Sequence, residues 1–209
     1  MIRTTLAVFL AFTATGLTTA AQAAPQKAVV AGGCFWCVES NFESVPGVTG
    51  VVSGFTGGSS QSPTYDDHSG HFEAVEISFD DAKISYDQII AKFLRSTDVV
   101  DAGGQFCDRG KAYKSAIFVK DAAQKTAAKA AVAQAESDLG QNIVTPILAA
   151  KAFWPAEAYH QDYYKSSDIV LTRRGPKEKR NAYKFYREAC GRDARVQQLW
   201  GSAAEFVRH

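Results

Sequence analysis

Two strand-like stretches follow one another in this chain with no helix between them, and that succession limits the fold more than any other feature. Residues 48–55 set Val48, Val51 and Val52 among the glycines at 50 and 54. Residues 72–80 alternate: Phe72, Ala74 or Val75, Ile77 and Phe79 are apolar, and Glu73, Glu76 and Ser78 are polar. This is the period of a strand. The joining segment, 57–71, is rich in Gly and Ser and has no period. A fully parallel doubly wound sheet needs a crossover helix after each strand, so that class is excluded.

The other elements complete the pattern. A short apolar strand at 28–31 turns through Gly32-Gly33 into a helix that stops at Pro46-Gly47. Ser85-Tyr86-Asp87-Gln88 has the form of a helix-capping arrangement, followed by Ile89, Ile90, Phe93 and Leu94 on one face. Residues 98–110 read as a loop and 115–119 as a strand. An alanine-rich helix spans 121–139, capped by Asp121 and ended at Gly140. Residues 143–150 form a further strand that Pro146 places at an edge or bulge, and 155–164 a short helix. The expectation is an α+β two-layer sandwich, helices packed on a mixed or antiparallel sheet. Polar and basic residues dominate from Lys165, and the expected domain division is 24–164 with a wrapping C-terminal tail at 165–209. Its cations Arg173, Arg174, Lys177, Lys179 and Arg180 read as a solvated face.

The N-terminus reads as a cleaved signal peptide over 1–23: Arg3, an interrupted apolar stretch at 6–17, then Ala21-Gln22-Ala23. That stretch is too short and broken for stable membrane insertion. Export to a periplasm follows as an expectation. The whole chain carries a formal charge of +1, and losing Arg3 leaves it near neutral, which gives no reason to expect nucleic acid. Four cysteines, Cys34, Cys37, Cys107 and Cys190, allow three full pairings, and the sequence does not choose among them.

Gly32-Gly33-Cys34-Phe35-Trp36-Cys37 is the strongest chemical signal. Cys34 is expected in the first turn of a helix, near unpaired N–H groups and the positive end of the dipole. Both favour the thiolate and hence a nucleophile. Gly33 allows the tight turn, and Phe35 and Trp36 supply an apolar wall. Glu73, near a strand start, and Asp108, in an irregular loop, are the acids that stand out. Tyr65 and Tyr113 supply phenols. A thiolate with carboxyl and phenol donors can attack a centre whose oxygen must leave protonated.

Several motifs stand in colinear order from about Val29 to Tyr163. They are Gly33-Cys34-Phe35-Trp36, Gly54-Phe55-Thr56-Gly57-Gly58, Pro63-Thr64-Tyr65, Gly70-His71-Phe72-Glu73-Ala74-Val75, Asp108-Arg109-Gly110, Tyr113-Lys114-Ser115-Ala116-Ile117 and Ala156-Glu157-Ala158-Tyr159-His160-Gln161-Asp162-Tyr163. Together they resemble the A-type peptide methionine sulfoxide reductases. The resemblance implies that Cys34 attacks the sulfoxide sulfur of the S epimer, free or in a peptide. It implies that Phe35 and Trp36 hold the substrate methyl group, Glu73 protonates the oxygen, Tyr65 and Tyr113 hydrogen-bond it, and Asp108 orients the site. A sulfenic acid on Cys34 would then condense with a second cysteine, and a thioredoxin-like dithiol would reduce the disulfide. No metal or organic cofactor is implied. The acid role requires a buried Glu73 with a raised pKa.

Two departures from the family pattern bear on the disulfide. Gln105-Phe106-Cys107 stands where the family often has Asn before the Asp, so Cys107 has no standard role. Cys190, in the tail, is the expected resolving cysteine; Cys37, three positions from Cys34, is its rival. A periplasmic thiol–disulfide oxidoreductase using Cys34 and Cys37 is the alternative function. A metal site joining the cysteines to His68 and His71 is a weaker one. His160 reads as a packed or capping residue, and a monomer is the default.

Overall fold

The computed structural model describes residues 26–207; the expected signal peptide lies outside them. Strand β1, Gln26–Gly32, is central. Helix α1, Phe35–Phe42, follows, then β2, Val48–Thr56, and β3, Phe72–Phe79. β2 and β3 pair antiparallel with a bulge between Val48 and Gly50, as their succession without a helix requires. Helix α2, Tyr86–Leu94, is followed by a two-strand hairpin, β4 at Gly104–Gln105 and β5 at Asp108–Arg109. Strand β6, Ser115–Val119, precedes helix α3, Ala122–Leu139, and the short strands β7, Ile147–Ala149, and β8, Trp154–Pro155. The six-stranded sheet runs β7-β6-β1-β3-β2-β8. Only the β6–β7 pair is parallel. The fold is thus an α+β sandwich on a mixed sheet.

Local chemistry sets the helix ends. The Gln88 N–H donates to Ser85 Oγ at 3.2 Å, and the Ser85 N–H donates to Gln88 Oε1 at 2.9 Å. This reciprocal cap satisfies two N–H groups that the helix cannot pair internally. Ile89, Ile90, Phe93 and Leu94 are fully buried behind it. Asp121 caps α3 by accepting the Gln124 N–H at 2.8 Å, and Gly140 ends it in the left-handed conformation.

The main core lies between the sheet and the helices. It joins Val30, Val75, Ile77, Phe79 and Ile117 to Phe35, Phe42, Ile90 and Phe93. A smaller cluster on the opposite face holds Ala31, Phe72, Ala74, Ala116 and Phe118. Side chains alternate across a strand, so Glu73 shares its face with Val75, Ile77 and Phe79. The polar residue of that register therefore points at the helix layer rather than at solvent.

Two expectations are corrected. Residues 155–164 are not a helix: Trp154 and Pro155 pair with Phe55 and Gly54, and only Ala158–His160 makes a single 3₁₀ turn. Gln161 explains this, since its side-chain amide both accepts from the Ser53 N–H and donates to the Ser53 carbonyl, each at 2.9 Å. The second correction is Lys179, which is buried and donates to the Tyr159 carbonyl at 3.1 Å and to Asp168 at 3.0 Å; Arg173, Arg174, Lys177 and Arg180 are exposed. The C-terminal tail, expected to wrap the domain, consists largely of regular elements. Strands β9, Ile169–Thr172, and β10, Gly175–Glu178, form a hairpin, followed by helices α4, Lys179–Ala189, and α5, Arg192–Trp200. Val196 and Trp200 of α5 join the main core. Among the described residues no helix is long and apolar enough to cross a membrane.

Candidate active site

The site forms where β1 hands over to α1. Gly33 has φ +80°, and a Cβ there would lie 2.6 Å from Gln105 Cβ, so both backbone shape and space require glycine. Cys34 is the N-cap of α1, with φ −48° and ψ 116°, and its carbonyl accepts the Cys37 and Val38 N–H groups at 3.1 and 3.4 Å. The Phe35 N–H, free of any helix partner, donates to Glu73 Oε2 at 3.1 Å. The first turn of the helix and the end of β3 are thereby joined at the nucleophile.

Cys34, Phe35, Trp36, Tyr65, Glu73, Asp108 and Tyr113 line one cavity of about 70 Å³, together with Tyr186. Of the residues to which the family resemblance gave a role, all are there except Cys190. Tyr186, from α4, was not anticipated; the only signal for it was the return of aromatic residues at Tyr183-Lys184-Phe185-Tyr186. Its hydroxyl donates to the Asp108 carboxylate. Trp36 stacks on Tyr163 with centroids 4.0 Å apart, and Phe35 lies 6.2 Å from the Tyr65 ring. His160 is buried, 4.2 Å from Tyr65 and 5.6 Å from Trp36. It is held neutral by burial, with its pKa lowered to about 4, and acts as packing for this aromatic wall.

Burial dominates the electrostatics. Glu73 is 2 % exposed. Desolvation raises its pKa from 4.5 to about 8 against the opposing Phe35 hydrogen bond, so it is a protonated acid at neutral pH. Asp108 is raised mainly by burial too. The phenols of Tyr65, Tyr113 and Tyr186 are pushed well above their usual range by desolvation. They remain hydrogen-bond donors at any physiological pH.

The thiols correct the helix-dipole argument. Cys34 does sit at the helix N-terminus, yet it is 5 % exposed and its pKa is raised, by burial first and then by Cys37. A helix terminus contributes about 0.3–1 kcal/mol. Full burial shifts a pKa by up to about 3–5 units, each worth about 1.4 kcal/mol, so burial wins. Cys37 is instead lowered to about 6 by its hydrogen bond with Cys34, and next by Arg192 and Arg187. Of the two sulfurs, Cys37 is the one whose surroundings favour the charged form.

The arginines come from the C-terminal helices. Arg192 donates twice to the Gly32 carbonyl at 3.1 Å and once to the Ser96 carbonyl at 3.4 Å, with Phe106 4.6 Å below its guanidinium. Arg187 donates to Asn41 Oδ1 at 2.9 Å and to Tyr183 Oη at 3.1 Å. Glu39 is a further buried acid that sequence reasoning missed. It accepts from Ser53 Oγ and the Asp162 N–H, each at 2.7 Å, and its pKa is raised to about 7 by burial.

Cys190 is bonded to Cys107, with Cα atoms 4.9 Å apart, while Cys34 and Cys37 are free. The expected resolving cysteine is thus present in a disulfide, but with the cysteine that had no standard role. Among the described residues, two groups lie close enough to share a cation: Cys107, Asp108 and Cys190, and Glu39, Glu43 and Asp162. Neither contains His68 or His71. His68 Nδ1 lies 2.9 Å from the Tyr65 carbonyl, and His71 Nε2 lies 2.9 Å from Ser60 Oγ.

Comparison with known proteins agrees with this geometry. Residues 26–200 match the family described as peptide methionine sulfoxide reductase. Peptide methionine sulfoxide reductase MsrA 2 of Rhizobium meliloti is 46 % identical over 187 residues, covering 88 % of each chain. Its namesake from Caulobacter vibrioides is 43 % identical over 192 residues, covering 89 % of this chain and 92 % of the other. Methionine sulfoxide reductase A of Corynebacterium diphtheriae superposes with a TM-score of 0.60 at 26 % identity, covering 68 % of this chain and 74 % of that one. The reduced form of Mxr1 from Saccharomyces cerevisiae has the same fold, with a TM-score of 0.63 at 23 % identity over 67 % of this chain and 84 % of that one.

Proposed function

The chain belongs to the peptide methionine sulfoxide reductase family, and from that premise we propose how its own residues reduce the S epimer of methionine sulfoxide. One observation carries the reading: a nucleophilic sulfur and a protonated, buried carboxylic acid line the same small cavity. A sulfoxide is a poor electrophile until its oxygen is protonated. Glu73 supplies that proton, and the neutral phenols of Tyr65 and Tyr113 hydrogen-bond the oxygen as charge develops on it. Phe35 and Trp36 form the apolar side that receives the S-methyl group. Cys34 attacks the sulfur, the protonated oxygen passes to the Cys34 sulfur as the substrate S–O bond breaks, and methionine leaves a sulfenic acid on Cys34. The Cys34 proton passes along its hydrogen bond to Cys37, which Arg187 and Arg192 hold as the charged partner.

Cys190 then condenses with the sulfenic acid, releasing water, and a thioredoxin-like dithiol restores the thiols. The Arg3 to Ala23 segment supports export, and therefore a periplasmic dithiol as the reductant. The rival reading, disulfide exchange at Cys34 and Cys37, leaves the protonated Glu73 and the phenols without a task. It also has to bring a protein disulfide to two thiols that are 5 % and 2 % exposed.

The test is a single turnover with separated S and R epimers of a methionine sulfoxide peptide, with Cys34→Ser as control. Methionine from the S epimer alone, abolished in the variant, is expected. Equal turnover of both epimers, or turnover by Cys34→Ser, overturns the reading.

A further inference from the structure

The disulfide in this structure does not include the nucleophile. Cys107 lies at the tip of the β4–β5 hairpin, exposed, directly before Asp108. Cys190 caps the C-terminus of α4, where its N–H donates to the Tyr186 carbonyl at 3.0 Å. The same two segments are linked a second time, because Tyr186 donates to Asp108 inside the cavity. Cys190 therefore stands four residues, about 6 Å along the helix axis, from a side chain that lines the site. Gly191, with φ +67°, turns the chain immediately after it.

Access is the physical difficulty that this arrangement resolves. Cys34 is 5 % exposed. A disulfide left on it would be shielded from an external dithiol, and thiol–disulfide exchange needs the attacking sulfur to reach its target. Cys107 is exposed.

We propose that Cys107 is a recycling cysteine: the oxidising equivalent of each turnover moves from Cys34 through Cys190 to an exposed Cys107–Cys190 disulfide, where the reductant collects it. This rests on the proposed sulfoxide reduction at Cys34. The Cys190 thiol attacks the Cys34 sulfenic acid, forming the Cys34–Cys190 bond and releasing water. The Cys107 thiolate then attacks the Cys190 sulfur, forming the Cys107–Cys190 bond, and Cys34 leaves as a thiolate. Cys34 is reset before any reductant arrives. An external dithiol later reduces the Cys107–Cys190 bond and is itself oxidised to a disulfide. Closure of that bond also fastens α4 to the hairpin with Tyr186 in the cavity.

The test counts methionine without a reductant. Fully reduced protein, freed of reductant, is given excess S-sulfoxide peptide, quenched in acid, alkylated and mapped. Wild type should form two methionines per chain, one for the Cys107–Cys190 disulfide and one as the reset Cys34 reacts again. After one equivalent of substrate, Cys34 should be alkylated and Cys107 joined to Cys190. Cys107→Ser and Cys107→Ala should each stop at one methionine, with Cys34 joined to Cys190. Three results overturn the proposal: wild type stopping with a Cys34–Cys190 or Cys34–Cys37 bond after one equivalent; two methionines from both variants; or a Cys107–Cys190 bond that survives the initial reduction while methionine still forms. No methionine at all from folded, reduced wild type overturns the sulfoxide reading beneath it, and the proposal with it.

Discussion

Replacing Glu73 by Gln separates the acid's chemistry from its packing. The amide keeps the carbonyl oxygen that accepts the Phe35 N–H, a bond of 3.1 Å in the native chain, and adds almost no volume. Only the transferable proton is lost. General acid catalysis is worth about 10²–10⁴-fold, or about 3–5 kcal/mol of barrier, and the sulfenic-acid step should slow by that factor. The measurement is quenched-flow formation of methionine from an S-sulfoxide peptide between pH 5 and 10. The wild-type rate should fall as pH rises through about 8, where Glu73 ionises, and the variant should lack that fall. A rate within threefold of wild type at neutral pH, or a wild-type profile flat through pH 8, would refute the acid role.

The same shift has a consequence for stability whose sign is fixed. Glu73 keeps its proton in the folded chain up to about pH 8, but in the unfolded chain only to about 4.5. Between those values the folded state binds the extra proton, so the free energy of unfolding falls as pH rises, by about 1.4 kcal/mol per unit and about 5 kcal/mol in all. The stabilisation is complete below pH 4.5 and gone above pH 8. Glu39, raised to about 7 by burial, adds a smaller loss of the same sign, which the Glu73→Gln variant retains. Urea unfolding at pH 5, 7 and 9 should therefore show a shallower pH dependence in the variant. Equal slopes would mean that Glu73 is not protonated in the folded chain.

Gly33→Ala should destabilise the fold by about 2–4 kcal/mol, from the positive φ and from overpacking against Gln105; a loss under 0.5 kcal/mol in urea unfolding, on the order of an ordinary surface change, would contradict the geometry. Arg192→Met should cost about 3 kcal/mol by stranding the Gly32 and Ser96 carbonyls. It should also move the midpoint of Cys37 alkylation upward from about 6, and an unchanged midpoint would remove Arg192 from the thiol's surroundings.

What could be read from the sequence was local. The Ser85–Gln88 cap, the Asp121 cap and the αL Gly140 are decided by residues within four positions of one another, and each strand by its own alternation. The motif residues around Cys34, Glu73, Tyr65, Asp108 and Tyr113 could be read one by one, although only the sheet brings them to one cavity. The misreadings came from distance. Residues 155–164 have short-helix spacing, but Gln161 completes hydrogen bonds on Ser53, 108 residues away. Arg187 and Arg192 carried no local signal in the sequence; they are buried because Asn41 and Gly32, 146 and 160 residues earlier, supply oxygen acceptors. Cys107 and Cys190 are 83 residues apart, and no local pattern connects them.

The buried arginines explain how one dry cavity can hold both an acid and a nucleophile. Two unit charges 4 Å apart interact by about 4 kcal/mol at an effective dielectric of 20, so an ionised Glu73 beside a thiolate would be strongly opposed. Burial removes one charge by keeping Glu73 protonated. The same burial would neutralise the thiols as well, and a neutral thiol attacks poorly. The compensating cations must therefore face the thiol pair and not the acid. Arg192 and Arg187 act on Cys37, while Glu73 is perturbed by Asp108 and Cys37, with no cation among its leading influences. Both arginines lie beyond Tyr163, where the recognisable motifs end. A chain that kept every motif residue but lost α4 and α5 would keep the acid and lose two cations that favour the charged form of Cys37. The C-terminal segment therefore belongs to the chemistry of the site as well as to its wrapping.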